Sequence, residues 1–136
     1  MNKLIWKYAD PLPDVNELDL IEEQYGFVIP KDLRTCLIAN NGGRPNKMRL
    51  PLRDGGEVEF GYLLSFGPDE VEDFYEILEN FSLCDNGRLK MFPFARDPAG
   101  NLFCVRDNDI VFLDHETDEI FPVYGKFTQL LERLVD

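Results

Sequence analysis

The chain has 136 residues, 26 of them acidic and 14 basic, which gives a net charge of −12 and a pI near 4.4. This charge argues against nucleic acid and anionic membranes as partners, because both repel an acidic protein over the ~8 Å screening length of physiological salt. With 44% hydrophobic residues, the sequence predicts one folded domain, residues 1–136, with a short N-terminal arm, residues 1–13.

The first predicted helix follows this arm. Asp14 is a suitable N-cap, and Glu17 three residues later would complete a capping box. Gly26 suits the left-handed residue that ends a helix. The apolar face of this helix is formed by Val15, Leu18, Ile21 and Tyr25.

A second helix is predicted from Pro30, because the fixed φ of proline suits a first helical turn. It ends before residues 40–43, which are Asn and Gly and favour positive φ. Its apolar face is formed by Leu33, Cys36 and Leu37.

The middle of the chain predicts a hairpin and a third helix. The strands 48–52 and 57–64 are joined through Asp54-Gly55, a dipeptide typical of tight hairpin turns. The helix begins near Pro68, with acids close to its positive end. Its apolar face is formed by Val71, Phe74, Tyr75 and Leu78, and Asp85-Asn86-Gly87 then turns the chain onward.

Four apolar runs follow, separated by short turn-forming connections. They are Phe92–Ala95, Leu102–Val105, Ile110–Leu113 and Ile120–Val123. Short runs of aromatic and β-branched residues with such punctuation predict consecutive antiparallel strands, a four-stranded meander. The third run has no polar residue, so both of its faces should be covered. Pro122 lacks an amide hydrogen, so the last strand should lie at an edge.

The last predicted helix has Phe127, Leu130, Leu131 and Leu134 on one face. The elements together predict the α+β class: an antiparallel sheet, made of the C-terminal meander and the middle hairpin, with about four short helices packed on it.

The three cysteines, Cys36, Cys84 and Cys104, are widely spaced and odd in number. This fits neither a secreted disulfide framework nor paired metal ligands, and Cys36 and Cys104 are predicted to be small buried residues. No apolar run is long enough for a signal peptide or a membrane span. A cytoplasmic location is therefore expected.

The sequence lacks the patterns that would indicate catalysis or a cofactor. The single histidine, His115, lies in the acidic run 114–119, which matches neither a calcium loop nor a zinc helix. The sequence also lacks a phosphate-binding glycine loop and a serine elbow. We therefore expect no metal, no cofactor and no enzymatic activity.

Two acidic clusters are either ordinary solvated surface or candidate surfaces for binding a basic protein. The preferred one lies on turns of the meander and contains Asp107, Asp109, Glu116, Asp118 and Glu119. The rival patch lies on the third helix and contains Asp69, Glu70, Glu72, Asp73, Glu76 and Glu79. We call residues 107–109 the first tip and residues 114–119 the second tip. Successive turns lie at opposite ends of a meander, so the two tips should be roughly 15 Å or more apart.

Several short motifs occur in order along the chain. In the first half they are Leu20–Glu23, Tyr25–Leu33 and Asn41–Gly43. In the second half they are Pro93–Asp97, Gly100–Phe103, Val111–Glu116 and Phe127–Leu131. This order resembles the SUKH superfamily, named for the fungal Smi and Knr regulators of cell-wall synthesis, with Ile29-Pro30 where Leu-Pro is usual.

The resemblance implies an α+β fold, no cofactor and a role in protein binding. Many bacterial members are thought to be immunity proteins that bind a polymorphic toxin, often a nuclease, and an acidic chain suits a basic toxin domain. The alternatives are a regulatory scaffold of the Smi/Knr kind and a small-molecule or nucleotide sensor using the sheet's concave face. The resemblance supplies no catalytic residues and no contact residues.

Overall fold

The computed structural model of the protein describes residues 4–12, 14–52, 54–66 and 74–136. Within these ranges the helices are α1 (Asn16–Tyr25), α2 (Lys31–Ala39), α3 (Phe74–Asn80) and α4 (Phe127–Arg133). The strands are β1 (Trp6–Lys7), β2 (Arg44–Pro45), β3 (Arg49–Pro51), β4 (Glu57–Glu59), β5 (Tyr62–Leu63), β6 (Cys84–Asp85), β7 (Arg88–Leu89), β8 (Phe92–Arg96), β9 (Leu102–Arg106), β10 (Asp109–Leu113) and β11 (Ile120–Tyr124). This mixture of helices and antiparallel strands confirms the predicted α+β class.

The predicted meander forms four strands of a five-stranded antiparallel sheet. The strand order is β11-β10-β9-β8-β5, so the four predicted strands are neighbours in sequence order. Both faces of β10 are covered, as its apolar sequence predicts, because Ile110, Val111, Phe112 and Leu113 are between 1 and 6% exposed. β11 lies at one edge of the sheet, as predicted. Pro122 has no amide hydrogen to donate, and at an edge there is no further strand that would need one.

The middle hairpin forms, but its second strand is shorter than predicted. β3 and β4 pair with Leu50 opposite Val58, in a separate two-stranded sheet. The chain then changes partners, and β5 pairs with β8. Gly61 permits this change, because an added Cβ would lie 2.6 Å from the carbonyl oxygen of Arg96. The amide of Gly61 donates to that same oxygen at 2.9 Å. The predicted strand 57–64 is therefore two strands in two sheets.

Helix α1 begins later than predicted. The residue at the cap position is Val15, whose side chain forms no capping hydrogen bond. Asp14 lies one residue earlier, and its Oδ1 accepts a hydrogen bond from the first helical amide, that of Asn16, at 3.0 Å. The predicted capping box with Glu17 is therefore wrong. Val15, predicted on the apolar face, is 44% exposed. Gly26 ends the helix with a φ of 65°, as predicted.

Polar contacts hold three of the helices together. The guanidinium of Arg34 in α2 contacts the carboxylates of Asp19 at 2.6 Å and Glu22 at 3.0 Å, both in α1. Oδ2 of Asp32, also in α2, accepts a hydrogen bond from the amide of Thr128 in α4 at 3.1 Å. Helix α2 therefore has a polar link to each of the other two.

Aromatic contacts attach two helices, α3 and α4, to strand β8. The ring centroid of Phe92 lies 5.4 Å from that of Phe74 in α3. The ring centroid of Phe94 lies 5.5 Å from that of Phe127 in α4. All four side chains are buried, so one strand anchors two helices.

Helix α3 covers only the later part of the third predicted helix, since residues 67–73 lie outside the described residues. Phe74 and Leu78 are buried, as predicted. Tyr75, predicted on the same apolar face, is 37% exposed.

Candidate partner-binding surfaces

The first tip is a two-residue turn between β9 and β10. Asp107 and Asn108 both have positive φ, at 52° and 68°, as in the tight turns that match the twist of a hairpin. Arg106 and Asp109 face each other across this turn as strand partners. The side chains of Asp107 and Asp109 are exposed.

Cations lie close to the first tip. Asp109 lines a groove of about 480 Å³ whose other lining residues include Lys31 and Lys126. Arg106 is exposed beside the turn. The surface at this end of the sheet therefore carries both signs of charge.

The second tip is the loop between β10 and β11, and Asp114 organises it. Oδ1 of Asp114 accepts hydrogen bonds from the amides of Glu116 at 2.9 Å and Thr117 at 3.4 Å. The backbone of Asp114 donates to the carbonyl of Glu119 at 2.9 Å and accepts from the amide of Asp118 at 2.8 Å. One acid thus holds the loop, while the side chains of Glu116, Asp118 and Glu119 remain exposed.

A buried polar network supports the second tip from the neighbouring β8–β9 turn. Asp97 is 8% exposed and accepts hydrogen bonds from the amides of Ala99 and Asn101 at 3.0 and 2.7 Å. It also accepts one from the side-chain amide of Asn101 at 2.7 Å. Oδ1 of Asn101 accepts from the amide of His115 at 2.9 Å. Asp97 and Asn101, which belong to the motifs, therefore stabilise the β8–β9 turn and its link to the second tip.

The Asn-Gly-Gly motif after α2 also serves the fold. Asn41 is 7% exposed, and its Oδ1 accepts a hydrogen bond from the amide of Phe66 at 2.8 Å. Its backbone also forms a bridge to Asp10 in the predicted arm. Gly42 has a φ of 71°, and a Cβ there would overlap Oγ of Ser65. This motif is therefore explained by packing.

A groove of about 550 Å³ lies between the second tip and the end of α3. It is lined by Asn80, Phe81, Ser82, Leu83, Lys90, Met91, Leu113, His115, Asp118 and Ile120. Phe81 and Ile120 are half-buried apolar side chains, and Asp118 belongs to the second tip. The groove therefore combines apolar and acidic side chains.

The described part of the rival patch lies on α3, the helix whose last residue lines this groove. Glu76 and Glu79 are exposed on α3, and the next residue, Asn80, lines the groove. The other members of the patch, which lie outside the described residues, are Asp69, Glu70, Glu72 and Asp73. The described part of the rival patch therefore lies on the helix whose last residue lines the groove of the second tip, whereas the first tip lies at the other end of β10.

Sequence reasoning missed the groove itself. Phe81, Leu83 and Met91 belong to no predicted element, because only a turn was predicted between the third helix and the meander. That turn forms a small hairpin, β6–β7, in which Asn86 and Gly87 have positive φ of 53° and 78°. An Asn-Gly pair is a hairpin signal, so the hairpin was detectable, but the groove beside it has no sequence signature.

The cysteines are poorly suited to nucleophilic chemistry. Cys104 is buried, as predicted, but Cys36 is only half-buried. Burial raises the pKa of Cys36 to about 11, and it raises the pKa of both Cys84 and Cys104 above the usual value. The thiolate is the reactive form, so these thiols are largely unreactive at neutral pH. Among the described residues, no group of three or more His, Cys, Asp or Glu side chains is placed to hold a metal.

The fold and its surfaces define a small α+β domain with charged turns and shallow grooves. None of the helices in the described ranges is long and apolar enough to cross a membrane. Residues 13–133 match the SMI1 / KNR4 family (SUKH-1). The chain belongs to this family, which confirms the resemblance to the SUKH superfamily. A comparison with curated proteins gives no match.

Proposed function

We propose that this protein is a cytoplasmic, non-catalytic immunity protein that binds and neutralises a basic, nuclease-like toxin domain. The observation that carries the proposal is the family match over residues 13–133, since this family includes toxin immunity proteins. The match spans most of the chain, so the proposed role belongs to the whole fold.

The polar residues of the family-like motifs support binding over chemistry. The side chains of Asp97, Asn101 and Asn41 already form hydrogen bonds within turns and with backbone amides. A catalytic site instead holds polar groups ready for a substrate. The exposed turns and grooves are therefore the candidate functional surfaces, and such surfaces are suited to contact with another protein.

The net charge of −12 supports a basic partner. A nuclease domain that binds the phosphate backbone presents Lys and Arg on its substrate-binding face. An acidic protein is steered toward such a face, which raises the association rate and makes it fall with added salt. Occupying that face would block the substrate without any reaction.

The structure gives less support to the alternative function, a small-molecule or nucleotide sensor whose pocket is lined by aromatic residues of the meander. Phe92, Phe94 and Phe103 are fully buried, and Phe112 is 6% exposed. These side chains pack against helices and other strands, so they fill the core and do not line an open concave face.

The direct test first looks for a toxin gene immediately upstream of the gene for this chain, and then uses the toxin domain which that gene encodes. We expect co-expression to restore growth to cells that make the toxin domain, and we expect the purified proteins to form a complex. An unrelated acidic protein of similar size serves as the control and should not protect. Titration of toxin activity then separates binding from catalysis, because a binder neutralises only about its own molar amount.

Two results would contradict the proposal. One is a failure of this chain to protect cells from the neighbouring toxin. The other is complete inactivation of the toxin by a small fraction of its molar amount, which would indicate turnover.

A further inference from the structure

The groove between the second tip and α3 has a surface that could accept a side chain of a partner. Phe81 and Ile120 are half-buried in its lining, and the other apolar lining residues, Leu83, Met91 and Leu113, are buried. Its volume of about 550 Å³ lies within the ~300–1,000 Å³ of known ligand pockets. The groove can therefore bury apolar atoms of an incoming segment.

The segments that form this groove carry more acidic than basic residues. Asp118 lines it, with Glu116 and Glu119 exposed in the same loop. On the α3 side, Glu79 is exposed next to Asn80. Lys90 is the one Lys or Arg among the described lining residues. An apolar surface bordered by carboxylates complements a long cationic side chain, whose stem is aliphatic and whose end is charged.

The second tip is also held in place before binding. The amide of Asp118 donates to the carbonyl of Asp114 at 2.8 Å, and the loop is connected to Asn101 through His115. A surface that is already ordered loses less conformational entropy when a partner binds. Asp118 is thus a positioned carboxylate on a supported loop.

We propose that this groove receives an Arg- or Lys-bearing segment of the partner protein. The aliphatic stem lies against Phe81 and Ile120, and the cation lies beside Asp118. This inference rests on the proposed function, because it names the surface through which the immunity protein contacts its basic toxin. It assigns the contact to one end of the sheet and leaves the first tip outside it.

The first test compares two matched substitutions, Asp118→Asn and Asp107→Asn. Both aspartates have positive φ, at 61° and 52°, a region that Asn tolerates well. Each change removes one negative charge and preserves the turn. At low salt we expect Asp118→Asn to weaken binding of the toxin domain on the order of tenfold, with a smaller effect at high salt. Asp107→Asn should bind like wild type.

The second test approaches the groove from its other wall. Asn80 is exposed, ends α3 and lines the groove. Asn80→Arg places a cation there, at a helix C-terminus that tolerates positive charge. Its control, Gln129→Arg, puts the same cation in an exposed position that lines the groove near Asp109. We expect Asn80→Arg to weaken binding and Gln129→Arg to leave it unchanged or weaken it slightly.

The outcomes separate this inference from the proposed function. Loss of affinity in Asp118→Asn and Asn80→Arg, with both controls intact, supports the groove. Wild-type affinity in both groove variants overturns the groove but leaves the immunity function standing. A loss confined to Asp107→Asn assigns the contact to the first tip and also overturns the groove. A wild-type protein that neither binds nor protects overturns both proposals.

Discussion

The two tips of the meander differ less in their own sequences than in what surrounds them. Each is an acidic turn at one end of β10. The first tip lines a groove in which Lys31 and Lys126 balance the carboxylates of Asp32 and Asp109. The second tip borders a groove with half-buried apolar side chains, and Lys90 is the one Lys or Arg that lines it in the described part of the chain.

The tips also differ in how they are held. The first is a tight turn whose shape follows from two residues of positive φ. The second is a longer loop that depends on Asp114 and on the amide of His115, which donates to Asn101. Net charge alone therefore does not define a binding surface. The neighbours of an acidic turn decide whether its carboxylates have apolar surface beside them and a supported position.

The largest expected effect comes from β10, the strand that carries both tips. Phe112 is 6% exposed, and its ring centroid lies 5.2 Å from that of Phe103. Phe112→Ala should lower the free energy of unfolding by ~3–5 kcal/mol, because it leaves a cavity in the core. The control is Phe121→Ala, the strand partner of Phe112, which is 40% exposed. Urea denaturation that gave equal losses for both variants would contradict the assignment of β10 as an interior strand covered on both faces.

A smaller effect is expected where the two tips differ in support. Asn101→Ala removes the acceptor for the His115 amide and a donor to buried Asp97. We expect a loss of about 1–3 kcal/mol in stability, since a buried polar group is left with fewer partners. Hydrogen exchange at the His115 amide should become faster.

The matched control for this change is Asn108→Gly in the first tip, because glycine keeps the positive φ of that turn. It should change neither stability nor exchange at His115. If Asn101→Ala left the exchange at His115 unchanged, the network would not be supporting the second tip.

Charge removal at the tips should have little effect on stability. Asp107→Asn and Asp118→Asn each change an exposed residue at positive φ. We expect unfolding midpoints within about 2 °C of wild type, as for most surface substitutions. Thermal melts check this result. A large drop for Asp118→Asn alone would show that its carboxylate stabilises the loop, and its binding effect would then need a different interpretation.

No effect is expected from metals at either tip. In the second tip, Oδ1 of Asp114 already accepts hydrogen bonds from backbone amides, so it is not free for a metal. We expect no saturable heat when calcium or zinc is titrated into the chelator-treated protein. Tight, stoichiometric binding of either metal would contradict this prediction.

The sequence predicted the core better than the surface, and particular residues show why. The run Ile110–Leu113 has no polar position, so burial of both faces follows from hydrophobicity alone. Gly61 carries no such information, because its role depends on a close approach to β8 from a distant part of the chain. The sequence therefore predicted one strand where there are two.

The same limit applies to the candidate surfaces. Acidic residues on turns were predictable as exposed, because turn residues lie at the surface. Their neighbours were not predictable, since Lys31 reaches the first tip from α2 and Asn80 reaches the groove of the second tip from α3. Such contacts depend on tertiary packing between segments that no short pattern connects.

The central claim, that the toxin domain binds at the end of the sheet that carries the second tip, is tested most directly by hydrogen exchange. Exchange would be compared for this protein alone and in complex with its toxin domain. Binding at the second tip predicts slower exchange in residues 80–83 and 115–120, with little change in residues 106–109 and 125–129. Protection confined to the latter two segments would contradict binding at the second tip.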